Sequence, residues 1–85
     1  MDRYINLIVY HCTATKASQD FDVNDIRRMH LKRGWSDIGY HVLIKRNGEI
    51  QFGRPMSKIG AHVKGFNRTS IGVVWVGGVE VRPGL

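Results

Sequence analysis

Several things are scarce in this chain, and each scarcity excludes something. There is one cysteine, Cys12, so no internal disulfide can brace the fold. No apolar run approaches the ~20 residues a membrane-spanning helix needs. The opening residues, Met1-Asp2-Arg3-Tyr4, lack the basic and apolar regions of a secretory leader, so the chain as given is expected in the cytoplasm. Acidic residues are few: seven Asp and Glu stand against thirteen Lys and Arg, a formal charge of +6. Such a balance favours polyanionic partners. The basic residues are spread out, however, from Arg27, Arg28, Lys32 and Arg33 through Lys45, Arg46, Arg54, Lys58, Lys64 and Arg68. A solvated basic surface and a binding face are therefore equally open. Nucleic-acid binding rests on charge alone, because no aromatic-interleaved basic strand is present. With 85 residues, 1–85 is expected to be one domain.

What is present reads as an α/β domain. Residues 6–11, Asn6-Leu7-Ile8-Val9-Tyr10-His11, form a short apolar run with apolar residues on both faces, the pattern of a central strand covered on both sides. Asp22 is placed to cap a helix, with Asp25 in its first turn. Val23, Ile26 and His30, with Met29 beside them, supply the buried stripe. Gly34 suits the position just past the helix end. A second strand is expected over 40–45, with Tyr40, Val42 and Ile44 on one face and His41, Leu43 and Lys45 on the other. Asn47-Gly48 signals a hairpin into a third strand over 49–52. Residues 56–68 read as a long ordered loop, a class of segment that is often functional. Residues 70–76 form a fourth strand, apolar on both faces, broken by Gly77-Gly78. The result is a mixed sheet of about four strands with one flanking helix. Two strands call for cover on both faces and one helix cannot provide it.

Of the four histidines, His30 lies on the helix stripe and His41 on the strand face opposite Tyr40, so both read as structural. His62 sits in a glycine-rich basic loop near Asn67, a better place to touch a ligand. His11 ends a central strand, where ligands bind in open α/β sheets, and is the best metal-ligand candidate. Cys12 points away from His11 by strand alternation and reads as a small buried residue.

These segments resemble a known family. Ile8-Val9-Tyr10-His11-Cys12-Thr13-Ala14-Thr15 is similar to the first metal-binding segment of the zinc-dependent N-acetylmuramoyl-L-alanine amidases, the type 2 group that includes T7-type lysozyme and the peptidoglycan recognition proteins. The likeness continues through Gly34-Trp35-Ser36-Asp37-Ile38-Gly39-Tyr40-His41-Val42-Leu43-Ile44, Asn47-Gly48 and Gly53-Arg54. It ends with Gly60-Ala61-His62-Val63-Lys64-Gly65-Phe66-Asn67 and Ser70-Ile71-Gly72-Val73. The resemblance implies a zinc hydrolase of the amide between N-acetylmuramic acid and L-alanine in peptidoglycan. It implies His11 as the first zinc ligand, Tyr40 as a catalytic phenol beside the metal-bound water or scissile carbonyl, and His62 and Asn67 as substrate-binding residues. The +6 charge agrees with the carboxylates of a stem peptide.

The family draws its remaining zinc ligands, a further catalytic Lys or Thr, and the helices that cover the sheet from beyond the last matched strand. Residues 79–85 match nothing there. The expectation is a C-terminally truncated amidase-like fold, weak or inactive alone, able to act on the cell wall only if released or exported. The alternative is a non-catalytic module that binds peptidoglycan fragments or a protein. A homo-oligomer could cover the exposed sheet face.

Overall fold

The computed structural model describes residues 3–14 and 19–78. The elements are β1 (Leu7–Cys12), α1 (Val23–Lys32), β2 (Val42–Ile44), β3 (Ile50–Phe52) and β4 (Ser70–Trp75), with a 3-10 turn over Asn67–Thr69 leading into β4. The strand order is β1-β4-β2-β3. β4 pairs in parallel with β1 and β2, and β3 closes the sheet antiparallel to β2. This is the expected mixed sheet with one helix. The segment 79–85 lies outside the described residues.

The helix forms where its local signals place it. The Asp25 backbone N–H donates to Asp22 Oδ1 at 2.8 Å, and the Asp22 N–H donates to Asp25 Oδ2 at 2.9 Å. This reciprocal box satisfies two amides that the first turn leaves without partners. Ile26 and His30 are the buried residues of α1, as their spacing requires. The hairpin closes through Lys45 and Glu49, and Gly48 takes the left-handed φ of +90° that the turn demands.

Register sorts the sheet residues into two faces. His11, Val74 and Leu43 stand in one row across three strands. Leu43 and Val74 are fully buried there, in a core completed by Ile26, Ile38 and Val76. The Val23 N–H donates to Gln51 Oε1 at 2.8 Å, tying the helix start to the β3 edge on this face. The opposite face carries the row Tyr10, Val73, Val42 and Phe52, and beside it Trp75, Ile44 and Ile50. Its flanks are open: Tyr10 is 67% exposed, Phe52 69% and Ile50 58%. The mismatch between apolar strands and a single covering helix is thus real: among the described residues no helix lies on the face away from α1, whose centre at Val73 is buried and whose flanks are open.

Two expectations need correcting. β1 is an edge strand, not a central one, and Cys12 on it is exposed instead of buried. An apolar run records what a strand can pack against, whereas its neighbours are set by pairing far along the chain. The regular alternation expected over 40–45 also begins late. The carbonyls of Tyr40 and His41 both accept from the neighbouring strand, from the Arg54 and Gly53 amides at 2.9 Å each. Successive carbonyls in a flat antiparallel ladder point to opposite edges, so the backbone twists out of the pleat here. As a result Tyr40 and His41 both lie near His62, with ring centroids 6.4 and 6.0 Å from it.

The long loop is ordered by buried polar groups. Arg3 donates to the carbonyls of Met56 and Ser70, at 2.8 to 3.1 Å, and at 3.3 Å to those of Asn67 and Arg68. Arg54 donates to the carbonyls of Ile38 and Ile59. His41, with no exposed surface, accepts from the Gly72 N–H at Nδ1, 3.0 Å. That leaves its proton on Nε2, which donates to the Lys58 carbonyl at 2.7 Å, with Arg3 Nη2 at 3.3 Å from the same nitrogen. Arg3 and Arg54 both serve as internal staples, a role not assigned to either in the sequence.

Candidate functional site

The site is built where the end of β1, the bent entry to β2 and the stapled loop meet on the helix side of the sheet. His11 Nε2 lies 2.9 Å from His62 Nδ1, although 51 residues separate them. The His11 ring is 5.3 Å from Tyr40 and 5.1 Å from His62, centroid to centroid. Behind Tyr40, the His30 ring stands 5.6 Å away and itself packs at 4.5 Å on Trp35, over which the Arg33 guanidinium lies at 5.9 Å. The structure therefore brings His11, Tyr40 and His62 together, and places Asn67 behind them. Asn67 Oδ1 accepts from the backbone amides of His62 and Val63 at 3.0 and 2.9 Å, fixing the loop that presents the imidazole.

Close backbone approach makes this arrangement possible. A Cβ on Gly72 would stand 2.6 Å from the His62 ring, so that ring occupies space only glycine leaves free. A Cβ on Gly39 would meet the Ala61 carbonyl at 2.2 Å, while the Gly39 N–H donates to His30 Nδ1 at 2.8 Å. On the other side of His62, Ser70 is fully buried with its Oγ 3.2 Å from His62 Nε2.

Tyr40 and His62, with His30, border an open groove of about 440 Å³, lined also by Trp35, Ala61, Val63 and Asn67, with Arg33 and Lys64 supplying positive charge. His11 stands beside Tyr40 and His62, outside this lining. Burial pushes the Tyr40 phenol above its ordinary value, so it stays a proton donor at neutral pH. Burial likewise holds the four imidazoles neutral. His62 is lowered to about 4, first by burial and then by His11 and His41 beside it. His11, His30 and His41 are lowered too, each mainly by burial.

A pH dependence of stability follows. The unfolded chain binds protons at these histidines near the ordinary 6.5, and the folded chain resists them until lower pH. Stability is therefore complete above 6.5 and is lost as pH falls from there toward about 4. Each ~1 kcal/mol lost lowers Tm by roughly 4–8 °C in a domain this small. Thermal melts are expected to show Tm lower by at least about 5 °C at the acid end of this window; a flat Tm would contradict the burial of these rings.

No group of three His, Cys, Asp or Glu side chains among the described residues is disposed to hold a metal ion. His11 and its neighbour His62 are what these residues offer, and His11 Nε2 is already engaged. This donor set does not by itself fit a catalytic metal centre, which takes three protein ligands. Sequence reading missed Arg3, Ser70 and the role of Gly72, all of which act through contacts far apart in the chain. The only trace of the last two was their place in the Ser70-Ile71-Gly72-Val73 segment.

A mixed sheet with one helix matches the N-terminal part of the amidase and peptidoglycan-recognition folds. The family profile described as N-acetylmuramoyl-L-alanine amidase matches residues 1–83, and the chain belongs to that family. Among its relatives is the endolysin of Klebsiella phage KP32, 48% identical over 75 residues, which cover 88% of this chain and 50% of the endolysin. The endolysin N-acetylmuramoyl-L-alanine amidase LysCS of Clostridium intestinale superposes with a TM-score of 0.79 at 37% identity, over 88% of this chain and 47% of the other. The ectodomain complex of peptidoglycan recognition proteins LCa and LCx, solved with tracheal cytotoxin bound, gives 0.74 at 33% identity over 89% and 49%. The chain spans about half the length of the relatives it matches.

Proposed function

We propose that this chain carries the substrate groove and part of the active centre of a peptidoglycan amidase. By itself it binds peptidoglycan fragments and hydrolyses the muramoyl-alanine amide weakly or not at all. The observation that carries this reading is the convergence of His11, Tyr40 and His62 beside a groove edged by Arg33 and Lys64. In it, His11 is the first zinc ligand. Tyr40, kept protonated, is the phenol able to donate to a carbonyl oxygen as negative charge develops there. His62 and Asn67 line the groove, and the two cations suit the carboxylates of a stem peptide. Zinc in such enzymes lowers the pKa of a bound water toward ~7, which requires a ligand set the described residues do not complete. Binding is therefore the property this chain keeps. The likeness to recognition proteins solved with tracheal cytotoxin supports a binding role.

The test is an NMR titration with a purified muropeptide. Amide shifts are expected to localise to Arg33, Trp35, Tyr40, His62 and Lys64, and reversing both cations (Arg33→Glu with Lys64→Glu) is expected to weaken affinity about tenfold or more, ~1.4 kcal/mol. Shifts that are absent, or that map to the other sheet face, would overturn the reading. Self-association through the open face, where Tyr10, Phe52 and Ile50 stand exposed, belongs to the same proposal. A single monomeric species in velocity sedimentation would remove that part.

A further inference from the structure

We propose that Ser70 sets the proton positions on His62 and, through it, on His11, making Ser70 and His62 positioning residues for the first histidine of the site. Ser70 has no exposed surface, and its Oγ has His62 Nε2, at 3.2 Å, as its hydrogen-bond partner among the described residues. The Ser70 carbonyl is occupied separately, accepting from Arg3. A hydroxyl proton away from water needs an acceptor, and leaving it without one costs the full desolvation of that donor.

Two orderings of the chain Ser70–His62–His11 are possible. In one, His11 Nε2–H donates to His62 Nδ1, and His62 Nε2–H donates to Ser70 Oγ. That ordering strands the serine proton. In the other, the Ser70 hydroxyl donates to His62 Nε2, so the neutral His62 ring carries its proton on Nδ1. That proton is then donated across 2.9 Å to His11 Nε2, and His11 carries its own on Nδ1. Only the second ordering pairs every buried donor. It is favoured by about tenfold or more, the ordinary bias against an unpaired buried donor.

The neighbouring rings do not disturb this. His41 is fixed the opposite way, accepting at Nδ1 from Gly72 and donating from Nε2 to Lys58. His30 accepts at Nδ1 from Gly39. The site thus holds two imidazoles protonated on Nε2 and two on Nδ1, each set by one identifiable contact. Both nitrogens of His11 are then committed, Nε2 to the His62 proton and Nδ1 to its own.

The test is long-range proton–nitrogen NMR on the uniformly labelled chain at neutral pH, without metal or polymer. The expected result is an unprotonated Nε2 on both His11 and His62, with Nε2 protonated on His30 and His41. In Ser70→Ala, the His62 pattern is expected to become mixed or to switch to Nε2–H, with His11 following and His30 and His41 unchanged. Protonated Nε2 on His62 in the native chain would overturn the proposal, and so would tautomers indifferent to Ser70→Ala in a folded variant. The reading in the native chain stands even if the variant does not fold. Because the experiment contains no muropeptide, its failure is separate from a failure of the binding proposal.

Discussion

His41→Ala is expected to destabilise the chain by about 3–5 kcal/mol, enough to remove most of its stability. The imidazole is fully buried and does what a strand backbone would otherwise do. The β2–β4 register starts at Val42, and the His41 N–H already donates to the Gly72 carbonyl at 2.9 Å. The Gly72 amide, however, finds no backbone carbonyl where the chain twists at Tyr40 and His41. The Gly72 amide at the end of that ladder is satisfied by His41 Nδ1, and the Lys58 carbonyl of the long loop by Nε2–H. Alanine leaves the buried Gly72 amide unpaired, at roughly 1–3 kcal/mol, releases the part-buried Lys58 carbonyl and adds a cavity. The whole stability of a small domain is only ~5–15 kcal/mol, and an 85-residue chain with one open sheet face sits low in that range. Urea unfolding measures the loss. His41→Asn, whose carboxamide can still accept from Gly72, is expected to recover part of it. A loss under ~1 kcal/mol for His41→Ala would show that the loop is held by other means.

Gly72→Ala is the second large effect, and it reaches the site directly. The added methyl would lie 2.6 Å from the His62 ring, which cannot swing away freely because His11 and Ser70 hold its two nitrogens. Overpacking of this kind costs ~1–3 kcal/mol, a Tm decrease of roughly 5–20 °C. It is also expected to separate His62 from His11, visible as loss of the contact between their ring protons. The cause can be isolated with a double-mutant cycle. If the methyl clashes with the ring, Gly72→Ala made in a His62→Ala background should cost at least ~0.5–1 kcal/mol less than in the native chain. Strict additivity would mean that the strain lies in the strand backbone.

The parts legible in the sequence were those written locally. Asp22 and Asp25, the Ile26–His30 spacing and Gly34 define α1 within a dozen residues, and Asn47-Gly48 marks its hairpin in two. The apolar surplus over a single helix foretold the open sheet face now marked by Tyr10, Phe52 and Ile50. What could not be read was order and orientation. β1 carries apolar residues on both faces whether it is central or at an edge, and only its partner β4, some 60 residues on, decides between the two. Tyr40 shares a side with His41 because of carbonyl bonds to Gly53 and Arg54, which no alternation rule contains. His11 and His62 were both singled out, the first from its place at a strand end, the second from its glycine-rich basic loop, and both through family resemblance, but their 2.9 Å contact depends on Gly72 and Ser70. Arg3 went unmarked because the carbonyls it holds lie more than fifty residues away.

The central claim is that this chain keeps a groove for peptidoglycan but not a complete catalytic metal centre. Zinc content after exhaustive dialysis tests it most directly, measured on the native chain and on His11→Ala in parallel. Well below one zinc per chain in both proteins is the predicted result, with muropeptide shifts retained in the native chain. One tightly held zinc per native chain, lost in His11→Ala, would contradict the account and make amide hydrolysis the activity to assay.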